Sequence, residues 1–321
     1  MNIYITLDYE LFFGNSGSFQ NCMIKPTKRL LEIADEFNFK CVFFVDSGYL
    51  LALKKFMKDY PRLKEDYKAV SSQIKFLSQQ GHQIQLHIHS HWEDSFYNGT
   101  SWIFNLSRYR LDSFTEDEIV DIFKSYSKEL KEITGKQPFV YRAGGWCIQP
   151  FHKLKKAFME NDIKVDSTVY YKGRNTTPAQ WYDFRKAPDK SWWMFETDPC
   201  KKETNGRFKE IPISSIKISP FFYWKFILNK VVNHPHHRSF GDGNASKMSR
   251  LHALKLLFLP SYSVVSMDGL KSNLLHKAYT DNKHDNFVII GHPKAFTINS
   301  LRKFRSLIKS IKRNNDQITT Y

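Results

Sequence analysis

The feature that most constrains the fold is an alternation of strand-like and helix-like segments through the first half of the chain. The apolar run NIYITLD (2–8) is followed by KPTKRLLEIADEFN (25–38). There Leu30, Leu31, Ile33, Ala34 and Phe37 recur at helical spacing, with Pro26 at a tolerated early position. CVFFVD (41–46) reads as a buried strand by its β-branched and aromatic content. A helical region broken near Pro61 runs to Gly81, a residue suited to ending a helix, and HQIQLHI (82–88) is the third strand. Thr115 with Glu118 predicts a capping box ahead of the amphipathic stretch IVDIFKSYSKELKEIT. PFVYRAGGW (138–146) is a fourth strand with its exit loop, PFHKLKKAFMEN (150–161) a helix and IKVDSTV (163–169) a fifth strand. This order implies α/β architecture: parallel strands with helices packed outside, as a barrel or a doubly wound sheet.

After residue 170 the rhythm weakens. RFKEIPIS (207–214) reads as another strand, and NHPHHRSFGDGNASKMS (233–249) as a loop or insertion. NFVIIGHPKAF (286–296) is a buried strand running into His292, with a closing helix from about residue 298. With no internal repeat and no linker, a single domain over 1–321 is expected, with insertions around 171–206 and 215–285.

In parallel α/β folds, active sites gather at the carboxyl ends of the strands. Here nearly every strand end delivers an ionisable group: Asp8-Tyr9-Glu10, His87 to His91, Arg142 followed by Gly144, Gly145 and Trp146, Asp166, and His292. In HIHSH, His87 and His91 lie four apart and could share one cation if the chain turns after the strand, with a carboxylate completing the set. A bound divalent ion, expected to be zinc, would lower the pKa of a water and polarise a carbonyl.

In this order the motifs resemble the polysaccharide deacetylases, also called carbohydrate esterase family four. TLDYE is similar to that family's Thr-Phe-Asp-Asp-like strand end, and HIHSH to its histidine motif through His87, Ser90 and His91. RAGGW resembles the arginine loop of a bacterial subset linked to surface polysaccharides, VDSTV the Asp-bearing strand, and IIGHPK the closing histidine strand. The resemblance spans about residues 2 to 296 and implies a distorted (β/α)7 barrel of mostly parallel strands with an insertion-rich second half. It implies a metal-dependent hydrolase that removes an N-acyl group, expected to be acetyl, from a sugar. Asp8 would be general base and His292 general acid. Arg142 would orient the base, and Asp166 would support His292 or Arg142. His87 and His91 would be metal ligands. Tyr9 stands where the family has its second carboxylate. Glu10, on the same face of the strand as Asp8, is therefore assigned as the third ligand ahead of a water or Asp8 itself.

His89 is expected to be structural, facing away from the metal or lining the cleft. Gly144 and Gly145 would let the arginine loop pass close to the site. Trp92 and Trp146 could stack on a sugar ring or pack in the core. HPHH (234–237) could hold a second metal, although a solvated loop is the plainer reading.

The net charge of +16 suits an anionic partner, such as a nucleotide-linked or lipid-linked sugar. No nucleic-acid module accompanies it, so no nucleic acid is expected. SPFFYWKFILNKVVN (219–233) could touch a membrane, with an ordinary buried helix as the default. The strand-like start MNIYITLDYE and four scattered cysteines without a CxxC pair lead to an expected cytoplasmic location, at the inner membrane face if the substrate is lipid-linked. Two other function classes fit the same residues: a non-catalytic glycan- or anion-binding protein, and a metal-free amidohydrolase acting on a non-sugar amide.

Overall fold

The computed structural model describes residues 1–244 and 250–321. In chain order its main elements begin β1 (Asn2–Tyr9), α1 (Lys25–Glu36), β2 (Val42–Asp46), α2 (Ser47–Phe56), α3 (Leu63–Gln79) and β3 (Gln83–Ile88). They continue with α4 (Glu116–Thr134), β4 (Val140–Ala143), α5 (His152–Glu160), β5 (Val165–Asp166), β6 (Trp193–Phe195) and β7 (Phe208–Glu210). The later part holds β8 (Ser215–Ile218), α6 (Pro220–Val232), α7 (Arg250–Phe258), β9 (Ser261–Val264) and α8 (Leu275–Thr280). The chain closes with β10 (Asn286–Gly291), α9 (Ile298–Arg313) and β11 (Gln317–Thr319).

Strands β10, β1, β2, β3, β4, β5 and β7 lie side by side in that order, all parallel. β6 adds antiparallel to β7, and β11 pairs in parallel with the first residues of β1. The sheet curls, and extended segments bridge its ends: Ser214 N–H donates to Val288 O at 3.0 Å, and Ile290 N–H to Val265 O at 3.0 Å. The expected (β/α)7 arrangement is therefore present, with β8 and β9 forming a separate antiparallel pair that carries α6 and α7. Of the stretch 233–249 read as a loop, residues 245–249 lie outside the described residues.

Alternation along the strands divides the side chains. Ile3, Ile5, Leu7 and Tyr9 of β1 face the helices in the main core. Tyr4 of β1, Val42 and Phe44 of β2, Val140 of β4 and Val288 of β10 belong to two small apolar clusters on the inner face, joined by Val165 and Tyr321. Each large apolar side chain buried this way contributes about 1.5–3 kcal/mol. The inner clusters plug one end of the barrel. The same alternation brings Asp8, Asp46, His87 and Arg142 to its carboxyl end.

Helix ends follow their sequence signals. Thr115 and Glu118 form the predicted capping box on α4, with Thr115 N–H donating to Glu118 Oε2 at 2.7 Å. Gly135 closes that helix at φ 73°. Such a cap contributes on the order of 1 kcal/mol.

Candidate active site

Register assembles the first layer of the site. Asp46 pairs with His87 and His87 with Arg142 across adjacent strands, while Asp8 lies opposite Phe44. Arg142 is 1 % exposed and fixed on every side. Its Nη1 donates to Asp8 Oδ1 at 2.7 Å and to Thr6 Oγ1 at 2.9 Å, its Nε donates to Ser167 O at 2.8 Å, and its plane lies over the Phe44 ring. Asp8 thus meets a cation from one side. From the other, His292 Nε2 stands 3.6 Å from Asp8 Oδ2.

His292 is aimed by a residue that the sequence did not single out. Asp268 accepts from the His292 backbone N–H at 2.8 Å and lies 2.7 Å from its Nδ1. Burial disfavours the charged imidazole, but the Asp268 carboxylate, helped by Asp8 and Glu10, outweighs it and raises the His292 pKa. Asp166, expected to support His292 or Arg142, makes no hydrogen bond to either. Strand parity puts Asp166 on the outer face, because Val165 faces inward; its carboxylate binds Thr168 and pairs with Glu210 from β7. Burial raises the pKa of Asp166 and, with Asp166 beside it, lifts that of Glu210 well above the carboxylate range. The two acids lie behind the sheet, away from the cleft.

The second layer is a carboxylate with two imidazoles, and here the structure corrects the sequence reading. One ligand atom each from Glu10, His87 and His89 lies within 4.8 Å of the others. His89, not His91, joins Glu10, at 2.6 Å from its Oε2. The backbone is still extended at His89, so β3 alternation carries His87 and His89 to the same face. The chain turns only afterwards, at Ser90–Glu93. His91 therefore enters an aromatic cage of Phe13, Trp92, Phe104 and Tyr109, with no hydrogen-bond partner for either ring nitrogen. Burial holds it neutral.

His87 Nδ1–H donates to Arg142 O at 2.8 Å, leaving Nε2 facing Glu10 Oε2 at 3.2 Å. An imidazole nitrogen aimed at a carboxylate needs either a proton or a cation between them. Without a cation, burial is outweighed by Asp8 and then Glu10, and the His87 pKa rises to about 9. Two imidazoles and one carboxylate are a donor set suited to hydrolytic zinc, and Nδ1 of buried His89 has no hydrogen-bond partner. The residues present fit a divalent ion. Among the described residues, His234, His236 and His237 form no such cluster with a carboxylate.

Lys294 adds a further charge. Its Nζ donates to Glu10 Oε1 at 2.9 Å and also to Leu11 O. Burial pushes the Glu10 pKa up, but Lys294 and then His89 outweigh it and hold Glu10 well below the carboxylate range. Asp46, at the end of β2, was also missed. Trp92 Nε1 donates to it at 2.6 Å, and burial raises its pKa to about 7. Trp92 is thereby committed to the core rather than to the cleft.

The cleft above these groups has a volume of about 260 Å³, and Asp8, Glu10, His87, His292, Trp146 and Gly145 are among its walls. Gly145 sits at φ +60°, and a Cβ there would come within 2.8 Å of Tyr109. Gly144 lies behind it, where a Cβ would fall 2.4 Å from Ile88 O. Of the two tryptophans expected at the sugar, only Trp146 reaches the cleft.

An α/β barrel with a buried carboxylate and imidazole cleft at its strand ends is the class these features define. No family model and no curated protein sequence matches the chain. Solved structures do align with it. A Mycobacterium smegmatis protein described as a polysaccharide deacetylase aligns over 100 % of this chain and 93 % of its own, at 15 % identity and a TM-score of 0.45. A peptidoglycan N-acetylglucosamine deacetylase aligns over 99 % and 85 %, at 12 % identity and a TM-score of 0.45. A polysaccharide deacetylase from Bacillus cereus aligns over 99 % and 91 %, at 14 % identity and a TM-score of 0.41.

Proposed function

We propose that the cleft hydrolyses an N-acyl group, acetyl in the first instance, from a sugar carried on a nucleotide or a lipid during surface-glycan assembly. The observation that carries this reading is the meeting of Asp8 and His292, 3.6 Å apart, beside the Glu10, His87 and His89 cluster. Amide hydrolysis needs a base to take a proton from water and an acid to give one to the departing amine. Asp8, oriented by Arg142, accepts the proton as the new C–O bond forms. His292, protonated and aimed by Asp268, donates from Nε2 to the amine nitrogen as the C–N bond breaks, giving acetate and a free amino sugar. A divalent ion held by Glu10, His87 and His89, zinc being the best match to the donor set, would polarise the acyl carbonyl and lower the pKa of a water. Trp146 offers a ring face to the sugar.

The Lys294 ammonium on Glu10 favours a second reading, in which that fixed cation replaces the ion and the enzyme works without metal. One assay separates the two. Acetate release from N-acetylated nucleotide and lipid-linked sugars is measured before and after chelation. Loss on chelation and recovery with zinc supports the first reading. Activity that survives chelation but disappears in Lys294→Met supports the second. Absence of acetate release with either carrier, with and without added zinc, overturns both.

The Asp268 contact gives a pH prediction. His292 acts protonated, so activity falls at alkaline pH as it loses its proton. Asp268→Asn removes the anion that raises the His292 pKa, so the alkaline limb of kcat/KM should move to lower pH. A limb that stays in place, with kcat unchanged, would remove Asp268 from the mechanism.

A further inference from the structure

We infer that α6 and α7 form a docking surface for an anionic lipid bilayer. The default expectation for the α6 stretch, an ordinary buried helix, is not met: no residue of α6 is buried. Phe221 is 76 %, Val231 77 % and Val232 70 % exposed, and Phe258 at the end of α7 is 69 % exposed. Among the described residues, ten of the eighteen exposed large apolar side chains fall on α6, α7 and the residue that follows. An apolar patch so concentrated marks an interaction surface rather than ordinary scatter.

Charge selects the partner. Between residues 211 and 267 the one carboxylate is Asp242, and it is engaged by Ser18 and Asn21. Lys217, Lys225, Lys230 and Lys255 are exposed around the apolar surface. Lys230 Nζ lies 5.0 Å from the centre of the Phe226 ring, which sets a cation at the edge of the apolar surface. Trp224, 46 % exposed, supplies an amphipathic ring that favours a membrane–water boundary. At about 1.5 Å per residue, the 13 residues of α6 reach roughly 20 Å, short of a hydrocarbon core. Among the described residues, no helix is long and apolar enough to cross a membrane. A basic, apolar helix pair of this length lies in the plane of the interface.

The surface is coupled to the cleft by its connections. The pair β8–β9 joins Ser215 to Val264, and the chain leaving β9 reaches Asp268 four residues later, where it holds His292. Between the helices, Gly241 N–H donates to Lys294 O at 3.0 Å. A bilayer seated on α6 and α7 therefore lies on the excursion that leads into Asp268 and rests against Lys294. For the choice between sugar carriers, which rests on the proposed hydrolase, this favours the lipid-linked one.

The test is flotation of the full-length protein with phosphatidylcholine vesicles, with and without phosphatidylglycerol. The protein should rise with the anionic vesicles. Leu228→Glu with Val231→Glu should lower the bound fraction by about tenfold or more. Because those side chains are exposed, thermal unfolding should stay unchanged. Lys225→Glu with Lys230→Glu should give the same loss without touching an apolar group. Wild-type protein that stays behind with both vesicle types overturns the proposal. So does a wild-type dimer that these substitutions split without any vesicle binding, since a second copy is then the occupant. Vesicle binding without acetate release sustains the docking surface and counts against the hydrolase; acetate release without binding does the reverse.

Discussion

Asp8→Asn is expected to lower acetate release by about two to four orders of magnitude, the usual contribution of a positioned general base. The substitution is close to isosteric. Its amide oxygen can still accept from Arg142 Nη1, now 2.7 Å from Asp8 Oδ1, and Arg142 keeps its bonds to Thr6 and Ser167. What disappears is the capacity to take a proton from water beside His292. Asp8 stands outside the Glu10, His87 and His89 cluster. Zinc content by mass spectrometry should therefore match the wild type while turnover collapses. The same collapse in zinc content would make Asp8 a ligand instead. Turnover within tenfold of wild type would take the base role away from it altogether.

The parts of this site that were legible in the sequence share one cause. Period-two alternation and the apolar runs of β1, β3, β4 and β10 are local signals, and they bring Asp8, Glu10, His87, Arg142 and His292 to one end of one sheet. The same parity, carried one step further, would have placed His89 beside His87 and moved Asp166 behind the sheet. The motif spacing of His87 and His91 instead assumed a turn that begins too early. Asp46 had a signal, an apolar strand ending in an acid as β1 does. Asp268 had none, because it enters from a segment that returns after the α6–α7 excursion, and no local pattern reports such a contact. The exposure of α6 was illegible for a different reason. A helix this rich in apolar residues reads as buried, and only the tertiary arrangement reveals that none of its residues is.

Arg142→Met should cost about 3–5 kcal/mol of stability, the penalty for removing one partner of a buried ion pair. Arg142 is 1 % exposed, so on its side of Asp8, away from the cleft, bulk water does not take the place of the lost cation. Methionine can refill much of the volume over the Phe44 ring, which keeps a cavity term small and isolates the electrostatic one. It supplies no donor, so the Asp8 carboxylate, Thr6 Oγ1 and Ser167 O each lose a hydrogen bond at once. Arg142→Lys retains a charge but lacks the fork that reaches Asp8, Thr6 and Ser167 together, and should cost less. Urea unfolding of chelated protein, which removes any contribution from a bound ion, measures both. Should Arg142→Met lose under about 1 kcal/mol, or Arg142→Lys lose as much as Arg142→Met, the Asp8–Arg142 pair would not be what secures this end of the barrel.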